Sequence, residues 1–368
     1  MLTREELANT IKDAALAAGF DRAGVASLAP GDFPELAAFS AWIDAGHAGE
    51  MKYMEKRTES GELKRAAIKN AVPWARSIVV CAVNYSADRP YSVQLKDPRK
   101  GWISRYAWGD CDYHHALMPR LRQVEQRIRD LAAQETMEIE TRAYVDTGPV
   151  VERVYARHAG IGWIGKNTCV INQRLGSWLF LGVILTSLAL PPDLPAADRC
   201  GSCTRCIDAC PTEALLGPGK MDARRCIAYL TIEKRGEIAE NLREGMGHHV
   251  FGCDICQDVC PWNNKAANVP PASLPEFQPR PNLFQPDLEW LAAMDVESFR
   301  RIFRGSPVKR AKFNGLKRNV AIAMGNSGNK KFIPQLERMA ADPDPVIADH
   351  ARWALEKLRS FKQISLKS

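Results

Sequence analysis

Cys200-Gly-Ser-Cys203-Thr-Arg-Cys206-Ile-Asp-Ala-Cys210-Pro211 reads C-x2-C-x2-C-x3-C-P, a spacing that turns successive thiolates toward a [4Fe–4S] cluster. A shortened second run follows, Cys253-Asp-Ile-Cys256-Gln-Asp-Val-Cys260-Pro261, with Val250 where a leading cysteine would stand. Cys226, alone between the runs, is the candidate for the missing ligand. In two-cluster modules the last cysteine of each run ligates the other cluster. That rule assigns Cys200, Cys203, Cys206 and Cys260 to one cluster, and Cys226, Cys253, Cys256 and Cys210 to the second. Zinc would favour separated C-x2-C pairs closing on one tetrahedral ion. Disulfides suit the pattern less, because the remaining cysteines are scattered and no secretory leader is recognisable. The chemistry expected is electron transfer.

Outward from this module, 368 residues allow two or three domains, each with its own core. The first twenty residues spell an amphipathic helix containing acidic groups, so a cytoplasmic location is expected. The longest apolar run, Trp178 to Leu190, is interrupted by Gly182, Thr186 and Ser187. It is too short for a bilayer-spanning helix and suits a buried strand, so no membrane partner is expected. A net charge of +7, from 50 basic and 43 acidic residues, matters only if localised. Between 300 and 318 it is: eight Arg or Lys stand there without one Asp or Glu. Such runs are solvated faces or contacts to a nucleic-acid backbone, and Lys309, Arg310, Lys312, Lys317 and Arg318 are the candidate phosphate contacts.

Helices are expected over 3–19, 33–46, 118–133 and 221–234, the last placing Tyr229 near a redox centre. Strands are expected at 20–27, 77–85 and 139–146. Cys81, inside the second, reads as a small buried hydrophobe. Asp146 ends the third strand before Thr147-Gly148-Pro149, where a carboxylate either projects into a cleft or caps the next helix. Three glycines in Gly160-Ile-Gly162-Trp-Ile-Gly165 permit close approach of a ligand or tight packing. A proline-rich linker is expected over 269–286. Asp342-Pro343-Asp344-Pro345 then joins paired helices in the manner of a short repeat array.

The stretches Tyr144-Val-Asp146-Thr-Gly-Pro149, Glu152-Arg153, His158-Ala-Gly-Ile-Gly-Trp163-Ile-Gly-Lys-Asn167 and both cysteine runs, with Pro261-Trp262-Asn263, closely resemble the epoxyqueuosine reductase family over nearly the whole chain. The resemblance implies an α+β architecture in three parts. A nitroreductase-like cobalamin-binding domain would span 1–195, a ferredoxin-like double [4Fe–4S] domain 196–268, and a HEAT-like helical domain in contact with tRNA 285–368. It implies reduction of the epoxide of epoxyqueuosine at the tRNA wobble position to queuosine. Cobalamin and two [4Fe–4S] clusters would be the cofactors, and Asp146 the proton donor. Implied partners are the modified tRNA and an external electron donor of flavodoxin or ferredoxin type, acting on a monomer. Candidate corrin contacts are Arg57, Tyr106, Asp112, Asp146, His158, Lys166, Asn167, Ser177 and Asp254. Cys111 and Cys169 are left with packing roles.

Three other readings compete. A plain ferredoxin-type electron carrier would leave the large N-terminal part and Asp146 without use. A cobalamin dehalogenase for small molecules fits poorly with the basic helical end. A redox-sensing RNA-binding protein would bind RNA without turning over an epoxide.

Overall fold

The computed structural model describes residues 2–28, 33–264 and 270–360. Its centre is a four-stranded antiparallel sheet in the order Arg22–Ser27, Ser77–Asn84, Leu179–Thr186 and Thr141–Tyr144. Every residue of Ser77–Asn84 is buried, because helices cover both faces. Val79, Cys81 and Val83 point toward a core with Leu7 and Ile11 of Arg4–Ala17, and Leu117, Leu121 and Val124 of Tyr113–Gln134. Ile78, Val80 and Ala82 meet Leu36, Val154 and Tyr155 on the other side. Alternating side chains thus load both faces of one strand. Burial pushes the Cys81 thiol up to about 12, as a packing residue requires.

Local chemistry sets the ends of these elements. Thr3 accepts from the Glu6 N–H while Glu6 reaches back to the Thr3 N–H, a reciprocal cap that starts the first helix. Asp112 caps Tyr113–Gln134 by accepting from the His114 N–H. The strand expected to end in Asp146 stops at Tyr144. Asp146 itself takes φ 56°, a left-handed conformation that pairing with Leu179–Thr186 cannot accommodate. The helix expected over 221–234 is broken into a 3-10 turn at Ala223–Arg225 and a helix at Ile227–Ile232. Asp222 fixes the turn by accepting from Arg224, and Cys226 sits extended at the break.

The proline-rich stretch is not a loose linker in its described part. Ala272, Leu274 and Phe277 are buried in the same core as Arg4–Ala17 and Tyr113–Gln134, and Arg120 pairs with Glu276 at 2.8 Å. Apolar side chains at this spacing gain more from burial than a solvated strap would. Val269, with 265–268, lies outside the described residues.

Lys312–Asn326, Ile333–Ala340 and Pro345–Ser360 form the C-terminal helical part. Gly325 permits the close crossing of the first and third, since a Cβ there would meet Ala354 at 2.8 Å. The basic run divides here. Lys309, Arg310 and Lys312 are exposed, whereas Lys317 is 7% and Arg318 1% exposed. Arg318 donates to the carbonyls of Leu230, Lys234 and Gly236 at 2.7, 3.1 and 2.7 Å. Lys317 donates to the carbonyls of Ala292 and Met294. These two cations therefore tie the helices to neighbouring segments, which corrects the expectation that they contact phosphates. Their stems lie on the buried face of the helix, and carbonyl acceptors wait at the far end. Burial pulls Arg318 down to about 10. Among the described residues no helix is long and apolar enough to cross a membrane.

Arg318→Ala should destabilise the protein by about 3 kcal/mol, because buried carbonyls lose a charged donor. Lys309→Ala should stay within about 0.5 kcal/mol of the parent. Equal urea midpoints for the two variants would remove the tie from Arg318.

Candidate active site and cysteine centres

The eight module cysteines fall into two neighbourhoods. Cys200, Cys203, Cys206 and Cys260 line a common cavity of about 230 Å³. Burial pushes Cys260 up to about 11, with Cys200 and Cys206 close enough to add to it. The Trp163 indole N–H donates to Cys200 Sγ at 3.4 Å, and Trp262 packs edge-on against that ring. Cys210, Cys226 and Cys253 influence one another electrostatically, and Cys226 and Cys253 both act on Cys256. The Ala214 N–H points at Cys210 Sγ at 3.2 Å. Cys169 joins this second neighbourhood, its thiol paired with that of Cys256, which the contact and burial push well above the ordinary thiol range. Among the described residues no three His, Cys, Asp or Glu converge tightly enough for a single ion.

A buried polar seam holds this module against the sheet layer. Asp254, beside Cys253, accepts from the Trp102 indole at 2.9 Å, the Arg105 N–H at 2.8 Å and the Ser104 hydroxyl. Asp258 accepts from the Ser92 N–H at 2.8 Å, and burial together with Asp254 pushes it up to about 7. Asn263 accepts from the Ser177 N–H at 2.7 Å and donates to the Ser177 hydroxyl at 2.8 Å. Asn167 donates to the Cys256 carbonyl at 3.3 Å.

Asp146 lies on the exposed loop after Tyr144, and the Tyr113 hydroxyl donates to its Oδ2 at 2.9 Å. Tyr113 is fixed by stacking on Phe180, with ring centroids 4.6 Å apart. Burial first, and Asp146 next, hold the Tyr113 phenol well above its usual range, so it remains a donor. Tyr53, Tyr106 and Arg310 all sense the Asp146 charge. Arg310 stands 5.3 Å over the Tyr53 ring and donates to Glu233 at 2.5 Å. Glu152 begins the helix Glu152–His158; its Oε1 is sealed from solvent without a hydrogen-bond partner. That burial, with Asp146 nearby, pushes its carboxyl up to about 7.

The nine candidate corrin contacts stand on several different segments of the chain. Tyr106 and Asp146 are neighbours, and Asp112 acts on Tyr106 from the start of Tyr113–Gln134. Asn167, Ser177 and Asp254 belong to the seam, where their polar atoms already have partners. His158 stacks on Phe33 at 3.8 Å and meets Glu35 at 3.3 Å. Lys166 donates to the Gly201 carbonyl at 2.7 Å beside the first thiol group. Arg57, exposed, donates to the Gly61 carbonyl at 2.8 Å. The glycines of 160–165 serve packing: a Cβ on Gly162 would lie 2.3 Å from the Ile171 carbonyl. Sequence reasoning missed Tyr113, Tyr53 and Glu152 as neighbours of Asp146, and Trp163 and Cys169 as neighbours of cysteines. Only Glu152, six residues after Asp146, carried any local signal.

A double cysteine module sealed against a sheet layer that presents an acidic loop defines a two-cluster iron–sulfur oxidoreductase. A family profile described as a 4Fe-4S double cluster binding domain matches residues 199–263, and one described as epoxyqueuosine reductase QueG matches 65–147. The chain is 40% identical over 357 residues to the epoxyqueuosine reductase of Pseudomonas aeruginosa, covering 95% of this chain and 94% of that one. It is 35% identical over 357 residues to that of Escherichia coli, covering 96% and 90%. A solved epoxyqueuosine reductase bound to an epoxyqueuosine-modified tRNA-Tyr stem loop matches with a TM-score of 0.83 and 31% identity over 97% of this chain and 91% of that one. The enzyme from Bacillus subtilis, solved with its catalytic aspartate loop swung out of the active site, matches at 0.80 with 30% identity, covering 97% and 91%. The chain belongs to the epoxyqueuosine reductase family.

A carboxyl whose native value lies above its unfolded value stabilises the fold below the unfolded value and loses that advantage as pH rises through the native one. For Glu152 the window runs from 4.5 to about 7. Glu152→Gln should therefore gain up to about 3 kcal/mol on the parent between the acid and alkaline ends of this window. Parallel stability–pH curves for the two proteins would show that Glu152 carries no such cost.

Proposed function

We propose that this chain reduces the epoxide of epoxyqueuosine in tRNA to the cyclopentene of queuosine, with Asp146 supplying a proton. The observation that carries this reading is the Asp146 carboxyl group, exposed at φ 56° and hydrogen-bonded to the Tyr113 hydroxyl on the layer that the cysteine module seals. The cofactors are cobalamin and two [4Fe–4S] clusters. Cys200, Cys203, Cys206 and Cys260 ligate the first cluster, and Cys226, Cys253, Cys256 and Cys210 the second. The N-terminal layer is the nitroreductase-like cobalamin domain, and the C-terminal helices are the HEAT-like part.

The donor set suits a flat macrocycle rimmed with amides. Tyr53 and Tyr106 offer rings and hydroxyls beside Asp146, and the second thiol group is linked to them through Asp254 and Tyr85. Tyr106 and Asp112 are the contacts of choice for it, with Arg57 at the outer edge. His158 and Lys166 have other work, at Glu35 and at the first thiol group. When bound, the corrin supplies a low-potential metal centre that passes electrons to the substrate. The chain's own part is the proton. Reductive opening of the epoxide leaves an alkoxide, and a carboxyl within hydrogen-bond reach donates to that oxygen. Tyr113 orients the carboxyl, and the overall change consumes two electrons and two protons while releasing water. The exposed Lys309, Arg310 and Lys312 hold tRNA phosphates on the Arg310 side of this loop.

Asp146→Asn should keep both clusters and the corrin but lower single-turnover conversion by about 10² to 10⁴. Pre-reduced, cobalamin-loaded protein and mass spectrometry of the tRNA nucleosides make the test independent of electron supply. Near-parental conversion would transfer the donor role to a water or a neighbouring phenol.

Neutralising Lys309, Arg310 and Lys312 together should weaken binding of several tRNAs alike and lower the slope of log Kd against log salt by about 3. An unchanged slope would leave these side chains as a solvated face.

A further inference from the structure

The cavity holding Cys200, Cys203, Cys206 and Cys260 has a rim of one sign. Lys166, Arg199 and Arg205 are the charged residues lining it, and no carboxylate lines it. Arg199 and Arg205 are exposed and flank Cys200 and Cys206 directly in sequence. The nearest acids in the chain, Asp198 and Asp208, are turned to local partners. Asp198 accepts from the Cys200 N–H at 2.8 Å, and Asp208 from the Thr204 hydroxyl at 2.7 Å. Half-buried Trp262 adds an aromatic surface to the same wall. These cations are a different set from Arg310, which stands at Asp146.

We propose that the Lys166–Arg199–Arg205 rim is the docking surface for an acidic one-electron carrier protein that reduces the first cluster. This rests on the ligand assignment above. Each encounter oxidises one reduced carrier and reduces the cluster by one electron, so two encounters supply the two electrons of one epoxide reduction. The two protons and the released oxygen are handled at the Asp146 loop, whose residues do not line this cavity. A phosphate strand would also be drawn to this rim, but it would cover the cavity that gives the first thiol group its access from outside. Three cations lining one cavity present an approaching acidic protein with charge of one sign, and salt screens that attraction over about 8 Å at physiological strength. Such steering raises association rates by 10 to 10³-fold and fades with salt.

The test uses holoenzyme with both clusters and cobalamin, comparing the parent with Arg199→Glu/Arg205→Glu and the milder Arg199→Gln/Arg205→Gln. Stopped-flow bleaching of the clusters by fully reduced flavodoxin is followed at rising salt. The parent rate constant should fall steeply with salt. The reversal variant should be slower at low salt by about 10 to 100-fold, with a flattened salt dependence, and the neutral variant should lie between. Iron content, reduction by photoexcited deazaflavin and tRNA affinity should match the parent. Equal flavodoxin rates in all three proteins would overturn the proposal. So would weakened tRNA binding with unchanged flavodoxin rates, which would make the rim an RNA contact. Loss of an EPR signal in Cys203→Ala distinguishes the first cluster. If the parent lacks that signal, the ligand assignment fails and the docking proposal with it.

Discussion

The rest of the structure depends on the buried Asp254 carboxylate. It follows Cys253 directly and takes hydrogen bonds from Trp102, Ser104 and Arg105, so one side chain ties a thiol to the segment leading into Tyr113–Gln134. An unpaired carboxylate at 1% exposure would be strongly unfavourable; three donors make it tolerable and fix the distance between module and layer. Electron transfer needs that fixity more than strength. Asp258 with Ser92, and Asn263 with Ser177, extend the seam on either side. A seam of directional bonds holds register where an apolar one would tolerate sliding.

The C-terminal helices complete this arrangement from behind. Asn319 donates to the carbonyls of Thr231 and Val250, on two segments that carry cysteines at their ends, while Arg318 closes the turn at 234–236. The helical part is therefore a structural support for the cysteine-bearing segments. Lys317 and Arg318 of its conspicuous basic run reach inward, whereas Arg310 stands near Asp146.

What was legible in the sequence follows from how local its physics is. Ser77–Asn84 and Leu179–Thr186 are apolar enough to announce buried strands, and the cysteine spacings announce their chemistry without help from tertiary structure. Lys317 and Arg318 look like their neighbours Lys309 and Lys312 in composition; only the helix face distinguishes them, and that depends on which carbonyls lie opposite. The break at Cys226 was hidden because Asp222 closes a turn inside an otherwise helical pattern. Trp163 reaches Cys200 across a separation of 37 residues, and Tyr113 reaches Asp146 across 33. No periodicity encodes such pairs.

Asp146 shows why the acid belongs on a loop and not in the strand. Inside the sheet its side chain would be oriented by the pleat and buried on one face or the other. A left-handed residue just past the strand end turns the carboxylate out, at the expense of backbone strain that asparagine and aspartate tolerate better than most residues. Gly148 lets the chain fold back over Tyr144, since a Cβ there would lie 2.5 Å from its ring. Tyr113, immobilised on Phe180, then donates the hydrogen bond that orients the acid. A single bond of this kind contributes about 1.5 to 3 kcal/mol at most, enough to bias one loop geometry. The cysteine module rests on a buried seam of several hydrogen bonds, whereas Asp146 stands on an exposed loop held by the Tyr113 hydroxyl. The chain thus places one carboxylate, Asp254, inside the seam and the other, Asp146, in reach of solvent.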